Sequence, residues 1–121
     1  MEVSEFTADV DASGDAARIR CEGDLNGRAD AAMEAAYAEA AALGTTRITL
    51  DFERVGYINS TGIALIVRLL TSARADGRTV QAVGLTDHYR QIFQITRLSD
   101  YMEIVDGAPL AAATTIGGDG A

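Results

Sequence analysis

Arg47-Ile48-Thr49-Leu50-Asp51-Phe52 alternates in polarity, and a few residues later Asn59-Ser60-Thr61-Gly62 opens the apolar run Ile63-Ala64-Leu65-Ile66-Val67. Period-2 alternation predicts a half-buried strand, and the recurrence that follows predicts a helix over 60–75. Ile63, Ile66, Val67 and Leu70 form the inward stripe of that helix, and Gly77 closes it. At about 100° per residue, Leu65 lies nearly opposite the stripe, and Leu69 is also turned away from its centre. A strand that hands over directly to a helix is the building unit of an α/β fold.

The same reading extends upstream. Val3 to Val10 is a candidate strand, Ala12-Ser13-Gly14-Asp15 a turn, and Ala17 to Glu22 a strand with Ala17, Ile19 and Cys21 on one face. Gly23-Asp24-Leu25-Asn26-Gly27 then punctuates the chain. An alanine-rich helix follows from about Arg28 to Leu43, its stripe carried by Ala29, Ala32, Met33, Ala36, Ala40 and Leu43. Gly44 is suited to end it in a left-handed conformation. Downstream come a strand over 79–83, a helix over 87–96 and a short strand over 102–105. The resulting expectation is one domain over 1–106, with a mostly parallel mixed sheet of about four or five strands packed with helices. A flexible or partly helical tail over 107–121 completes it.

Composition narrows the function. The chain has 121 residues, 48% of them apolar, enough for a single core. Its formal charge is −8, from 18 acids against 10 bases, which opposes binding to nucleic acid or an anionic membrane surface. Every base is arginine, so a P-loop lysine, a Schiff base and a lysine general base are all excluded. One cysteine, Cys21, and one histidine, His88, exclude a disulfide framework and oppose a zinc site. Cys21 on an inward strand face reads as a small core residue. No apolar run approaches the roughly 20 residues of a membrane span. The acidic N-terminus lacks a signal-peptide pattern, and a cytoplasmic location is expected.

Binding sites in parallel sheets gather where strands end and helices begin. The two richest junctions are Gly23–Gly27 and Val55–Gly62. At the second, Ser60 or Thr61 reads either as a helix cap or as a functional hydroxyl. A helix N-terminus tolerates an anion, so a phosphoryl group on Ser60 would leave the fold intact while adding charge and bulk to its surface. An outward Leu65, one turn further on, reads either as a partner's anchor or as an ordinary exposed leucine.

These stretches resemble the STAS domain family, in particular its stand-alone anti-sigma-factor antagonists. Glu22-Gly23-Asp24-Leu25-Asn26 is similar to the family's Gly-Glu-Leu-Asp turn, and Ile48–Phe52 with Val55 to its central strand. Asn59-Ser60-Thr61-Gly62-Ile63 is similar to the Asp-Ser-Ser/Thr-Gly-Leu motif that opens its second helix. The resemblance implies partner switching. The antagonist binds an anti-sigma factor that is also a serine kinase, phosphorylation of Ser60 releases it, and a PP2C-type phosphatase restores it. Asp24, Asn26, Asn59, Ser60, Thr61, Gly62 and Leu65 would form the partner surface. No catalytic residue, cofactor or metal is implied. Asn26 and Asn59 stand where the family commonly has aspartate. They keep its hydrogen bonds but lose its charge, so they neither take a proton nor repel a phosphate.

Two other readings compete. Asp51 at a strand end resembles a receiver's acceptor aspartate, but that site needs a lysine. His88 reads as a surface residue, and no Gly-x-Ser-x-Gly elbow is present. The second is a STAS adaptor without phosphoryl control, a subunit of a signalling scaffold or a lipid-transport complex. Such an adaptor would tolerate Ser60→Asp.

Overall fold

A computed structural model describes residues 5–105. In chain order its elements are β1 (Thr7–Ser13), β2 (Ala16–Leu25), α1 (Asp30–Ala42), β3 (Arg47–Ile58), α2 (Ser60–Ala75), β4 (Thr79–Val83), α3 (Asp87–Ile95) and β5 (Glu103–Ile104). Short 3-10 turns precede α1 (Gly27–Ala29) and β5 (Leu98–Asp100). The sheet order is β1-β2-β3-β4-β5, antiparallel between β1 and β2 and parallel thereafter. A single α/β domain with a five-stranded mixed sheet is therefore the architecture, as the alternating pattern predicts. The tail over 107–121 lies outside the described residues.

The two-residue connection Gly14-Asp15 makes β1 and β2 a hairpin, with Gly14 at φ +63°. Each parallel neighbour is reached through a helix, the connection that parallel strands require. Alternation sorts the sheet's faces: Ala17, Ile19 and Cys21 on β2, Ile48, Leu50 and Phe52 on β3, and Val80 and Ala82 on β4 join one core with Met33, Ile66 and Phe93 of the helices. Phe93 meets Phe52 edge-to-face at 5.9 Å, seating α3 on β3. On the other face, Gln81 Nε2 donates to Thr49 Oγ1 at 3.0 Å and Arg18 pairs with Asp51.

Both long helices end on left-handed glycines, Gly44 at φ +76° and Gly77 at +74°, where side chains with a Cβ are disfavoured. Past Gly77, the Arg78 N–H donates to Ala73 O at 2.8 Å. The Arg78 guanidinium reaches Ala41 O at 3.3 Å and also bonds Thr45 O, tying down the end of α1.

Several expected boundaries move. β1 covers Thr7–Ser13 and so runs past the expected end at Val10, while the expected start at Val3 lies outside the described residues. β2 continues through Gly23 to Leu25, because register shifts between Arg20 and Glu22 and between Gly23 and Asp24 absorb the glycine within the ladder. β3 continues to Ile58, so Asp51 sits in mid-strand and does not end it. Leu43, expected on the buried stripe of α1, is exposed.

The largest correction concerns α2. Its buried residues are Gly62, Leu65, Ile66, Leu69, Leu70 and Ala73, whereas Val67 is 42% exposed. The buried arc is thus turned by about 80° from the expected stripe, at 100° per residue. The cause is α1, which packs beside α2: Met33 and Tyr37 line the same cleft as Leu65 and Leu69. Leu65 is 6% exposed and is a core residue, not an outward anchor.

Candidate functional site

The ends of β2 and β3 lie side by side, with Gly23 opposite Val55, Asp24 opposite Tyr57 and Leu25 opposite Ile58. This brings the two expected junctions into one surface. The Asn59 N–H donates to Leu25 O at 3.2 Å, which continues the pairing to the first residue beyond β3.

Each junction is then capped by an asparagine. Asn26 Oδ1 accepts from the Arg28 N–H at 2.9 Å and starts the turn that leads into α1. Asn59, in an extended conformation, accepts from the Gly62 N–H at 2.8 Å and starts α2. Capping needs a side-chain acceptor and no charge, so asparagine suffices at both places. The cap of α2 is therefore Asn59, not Ser60 or Thr61. Three adjacent residues all suited to the cap hid this in the sequence.

Ser60 is the first residue of the helix, exposed, and its hydroxyl has no hydrogen-bond partner among the described residues. Thr61 is exposed as well. Its methyl faces the other junction, 3.3 Å from where a Cβ on Gly27 would lie. Gly62 is buried, and a Cβ there would come within 2.8 Å of the Leu25 carbonyl carbon and closer still to its oxygen. Its part is to let α2 begin directly on the end of β2. Asp24, Asn26 and Asn59 are half-buried at the two junctions, and Asp24 and Asn26 line a cleft of about 540 Å³ with Arg28 and Phe6.

Two tyrosines frame the site. Tyr57, which sequence reasoning passed over, is 52% exposed beside Asp24. Its sequence signal is an aromatic ring within the Val55–Gly62 junction. Tyr89 accepts the Ile58 N–H on its hydroxyl at 2.9 Å and fastens α3 to the strand leading into the site. His88 is exposed and meets the Tyr89 ring at 4.9 Å.

The remaining candidate groups lie elsewhere. Asp51 is buried on the sheet face opposite the main core, bound to Arg18 and accepting the Glu53 N–H at 2.9 Å. That bond to Asp51 is the main reason the Arg18 guanidinium is held above its usual range. Burial, with a smaller contribution from Asp51, pushes the Cys21 thiol up to about 12. It is a core group at neutral pH. Among the described residues, no cluster of His, Cys, Asp or Glu is placed to hold a metal ion, and no helix is long and apolar enough to cross a membrane.

The surface thus carries two exposed hydroxyl residues, Ser60 and Thr61, at the positive end of a 16-residue helix.

The family described as "Mlab, STAS domain" matches residues 8–106. An anti-sigma-B factor antagonist from Staphylococcus aureus is 33% identical over 64 residues, covering 53% of this chain and 59% of the relative. One from Staphylococcus epidermidis is 28% identical over the same length. The matched stretch thus spans about three-fifths of the length of these curated relatives. Among solved structures, unphosphorylated SpoIIAA, an anti-sigma factor antagonist, superposes with a TM-score of 0.65 at 21% identity, covering 91% of this chain and 96% of that one. An anti-sigma factor antagonist from Mycobacterium paratuberculosis gives 0.73 at 14% identity, covering 91% and 93%. These two likenesses establish the fold. With the family match covering nearly all the described residues, the chain belongs to the STAS domain family.

Proposed function

We propose that this chain is an anti-sigma-factor antagonist that works in the cytosol by partner switching. It binds an anti-sigma factor through the surface around Ser60, Thr61, Asp24, Asn26, Asn59 and Tyr57, and so frees the sigma factor. The partner is also the kinase. It transfers the γ-phosphoryl group of ATP to Ser60 Oγ: the new P–O bond forms as the β–γ anhydride bond breaks, ADP leaves, and the hydroxyl proton passes to a base on the kinase. The added charge of about −1.5 to −2 then disrupts the contact. A PP2C-type phosphatase restores the hydroxyl.

The observation that carries this reading is that Asn59 caps α2, leaving Ser60 exposed and its hydroxyl without a hydrogen-bond partner among the described residues. A serine needed for capping would cost the helix about 1 kcal/mol when modified; this one is free to be modified. Similarity to the staphylococcal antagonists supports the reading, as does the fold likeness to SpoIIAA, which was solved in a phosphorylated form as well.

The test compares wild type, Ser60→Ala and Ser60→Asp as baits in native extract, with captured proteins identified by mass spectrometry. An ATPase-type anti-sigma factor held by the first two and lost with Ser60→Asp supports the proposal. Equal capture of one partner by all three overturns it in favour of a constitutive adaptor, the other role STAS domains take.

A further inference from the structure

The solvent-facing side of α2 continues from Ser60 as Ala64, Val67, Thr71 and Arg74, all exposed and spaced 4-3-4-3. This is the spacing of a seam that packs against another helix. At its far end, Val67, Thr71 and Arg74 join Leu70, Leu98 and Tyr101 around a groove of about 610 Å³. Tyr101 is 57% exposed there, with the Arg74 guanidinium 5.5 Å from its ring centroid. Among the described residues no carboxylate pairs with Arg74. In a chain of charge −8, this 16-residue helix carries two arginines and no acid.

The seam is complementary to itself. Ser60 and Arg74 each lie seven residues from Val67, and Ala64 and Thr71 lie three and four residues from it. Two copies of α2 packed antiparallel about a twofold axis at Val67 would set Val67 on Val67, Ala64 near Thr71, and each Ser60 beside the other copy's Arg74. With an unmodified serine, that contact adds little. One helix face buries only a few hundred Å² per copy, well short of the roughly 800 Å² of a standard interface. A phosphoserine changes the balance, because phosphate and guanidinium form strong charge-assisted hydrogen bonds, and here two such pairs form at once.

We infer that the occupant of the α2 groove is a second copy of this chain, and that phosphorylation at Ser60 drives a twofold dimer through Ser60–Arg74 pairs. The inference rests on Ser60 being modified, as proposed above. It adds a second consequence: the released antagonist would bury its own binding surface, and the phosphatase would have to open the dimer.

The experiment encodes phosphoserine at position 60 during translation, so it needs no kinase and its result is separate from the fate of the partner-switching proposal. Sedimentation velocity measures the mass of the unmodified and phosphorylated chains. The expected result is a monomer without the phosphate and a doubled mass with it. Arg74→Glu or Val67→Glu in the phosphorylated chain should restore the monomer, Arg74→Lys should retain part of the dimer, and Arg20→Glu, on the exposed face of β2 away from α2, should have no effect. A phosphorylated chain that stays monomeric overturns the inference, as does a dimer indifferent to Arg74→Glu.

Discussion

Gly62 and Leu25 touch backbone to backbone: the first turn of α2 rests on the last carbonyl of β2, with no room for a side chain between them. Gly62→Ala would force helix and strand apart or displace the helix start. Overpacking of this kind costs about 1–3 kcal/mol. The expected result is a lower thermal midpoint, together with weakened partner binding, since both junctions move. Calorimetry and a binding titration on the same variant check both effects.

Asn59 separates capping from charge. Asn59→Ala removes the acceptor for the Gly62 N–H and should lower stability by about 1 kcal/mol. Asn59→Asp keeps the bond and places a negative charge at the helix N-terminus, where it adds a few tenths of a kcal/mol. Chemical denaturation should rank the variants Asp, Asn, Ala in falling stability.

Leu65 tests the placement of α2. Because it is buried against α1, Leu65→Ala should lower stability by about 2–4 kcal/mol. Val67→Ala, on the exposed face, should change it by less than about 0.5 kcal/mol. Equal, small effects from urea melts of the two variants would contradict this packing.

Cys21 sets an alkaline limit. Its thiol is raised in the folded chain from the ordinary 9.0 to about 12. Between those values the unfolded chain has lost the proton and the folded chain keeps it. The Cys21 contribution to stability is therefore full below pH 9 and declines toward pH 12, by at most about 1.4 kcal/mol per pH unit. Tyr37, raised chiefly by burial and also by its bond to Asp76, acts in the same direction. Urea melts across this range should fall less steeply for Cys21→Ala than for wild type. At neutral pH the thiol should react with a maleimide only at the rate of unfolding.

The fold was legible wherever a segment has one dry face and one wet face. Ala17, Ile19 and Cys21 on β2 and the Arg47–Phe52 stretch of β3 carry that contrast in their alternation, and Gly44 and Gly77 mark the helix ends. In α2 the contrast is blurred, because Ile63, Leu65, Ile66, Val67, Leu69 and Leu70 spread over an arc of about 200° at 100° per residue. Periodicity alone then cannot tell which arc meets the sheet, and the additional cover from α1 decides it. The ends of β2 and β3 were misread for a different reason: Gly23 and Gly56 look like loop residues, yet both lie within strands. At the site, the hydroxyl residues were evident from their place before an apolar run. The division of labour between Asn59 and Ser60 was not, because it depends on which of three neighbouring side chains bends back to the helix.

The sheet order follows the chain order from β1 to β5. Every new strand therefore joins an edge that its predecessor has just provided, and no strand has to be inserted between two others. During synthesis, where segments nearer the N-terminus emerge first, the growing sheet can accept each strand as it leaves the ribosome. Both junctions of the candidate site belong to the span ending at Ala75. The surface around Ser60 can thus take shape on a nascent chain before β4 and β5 have been made.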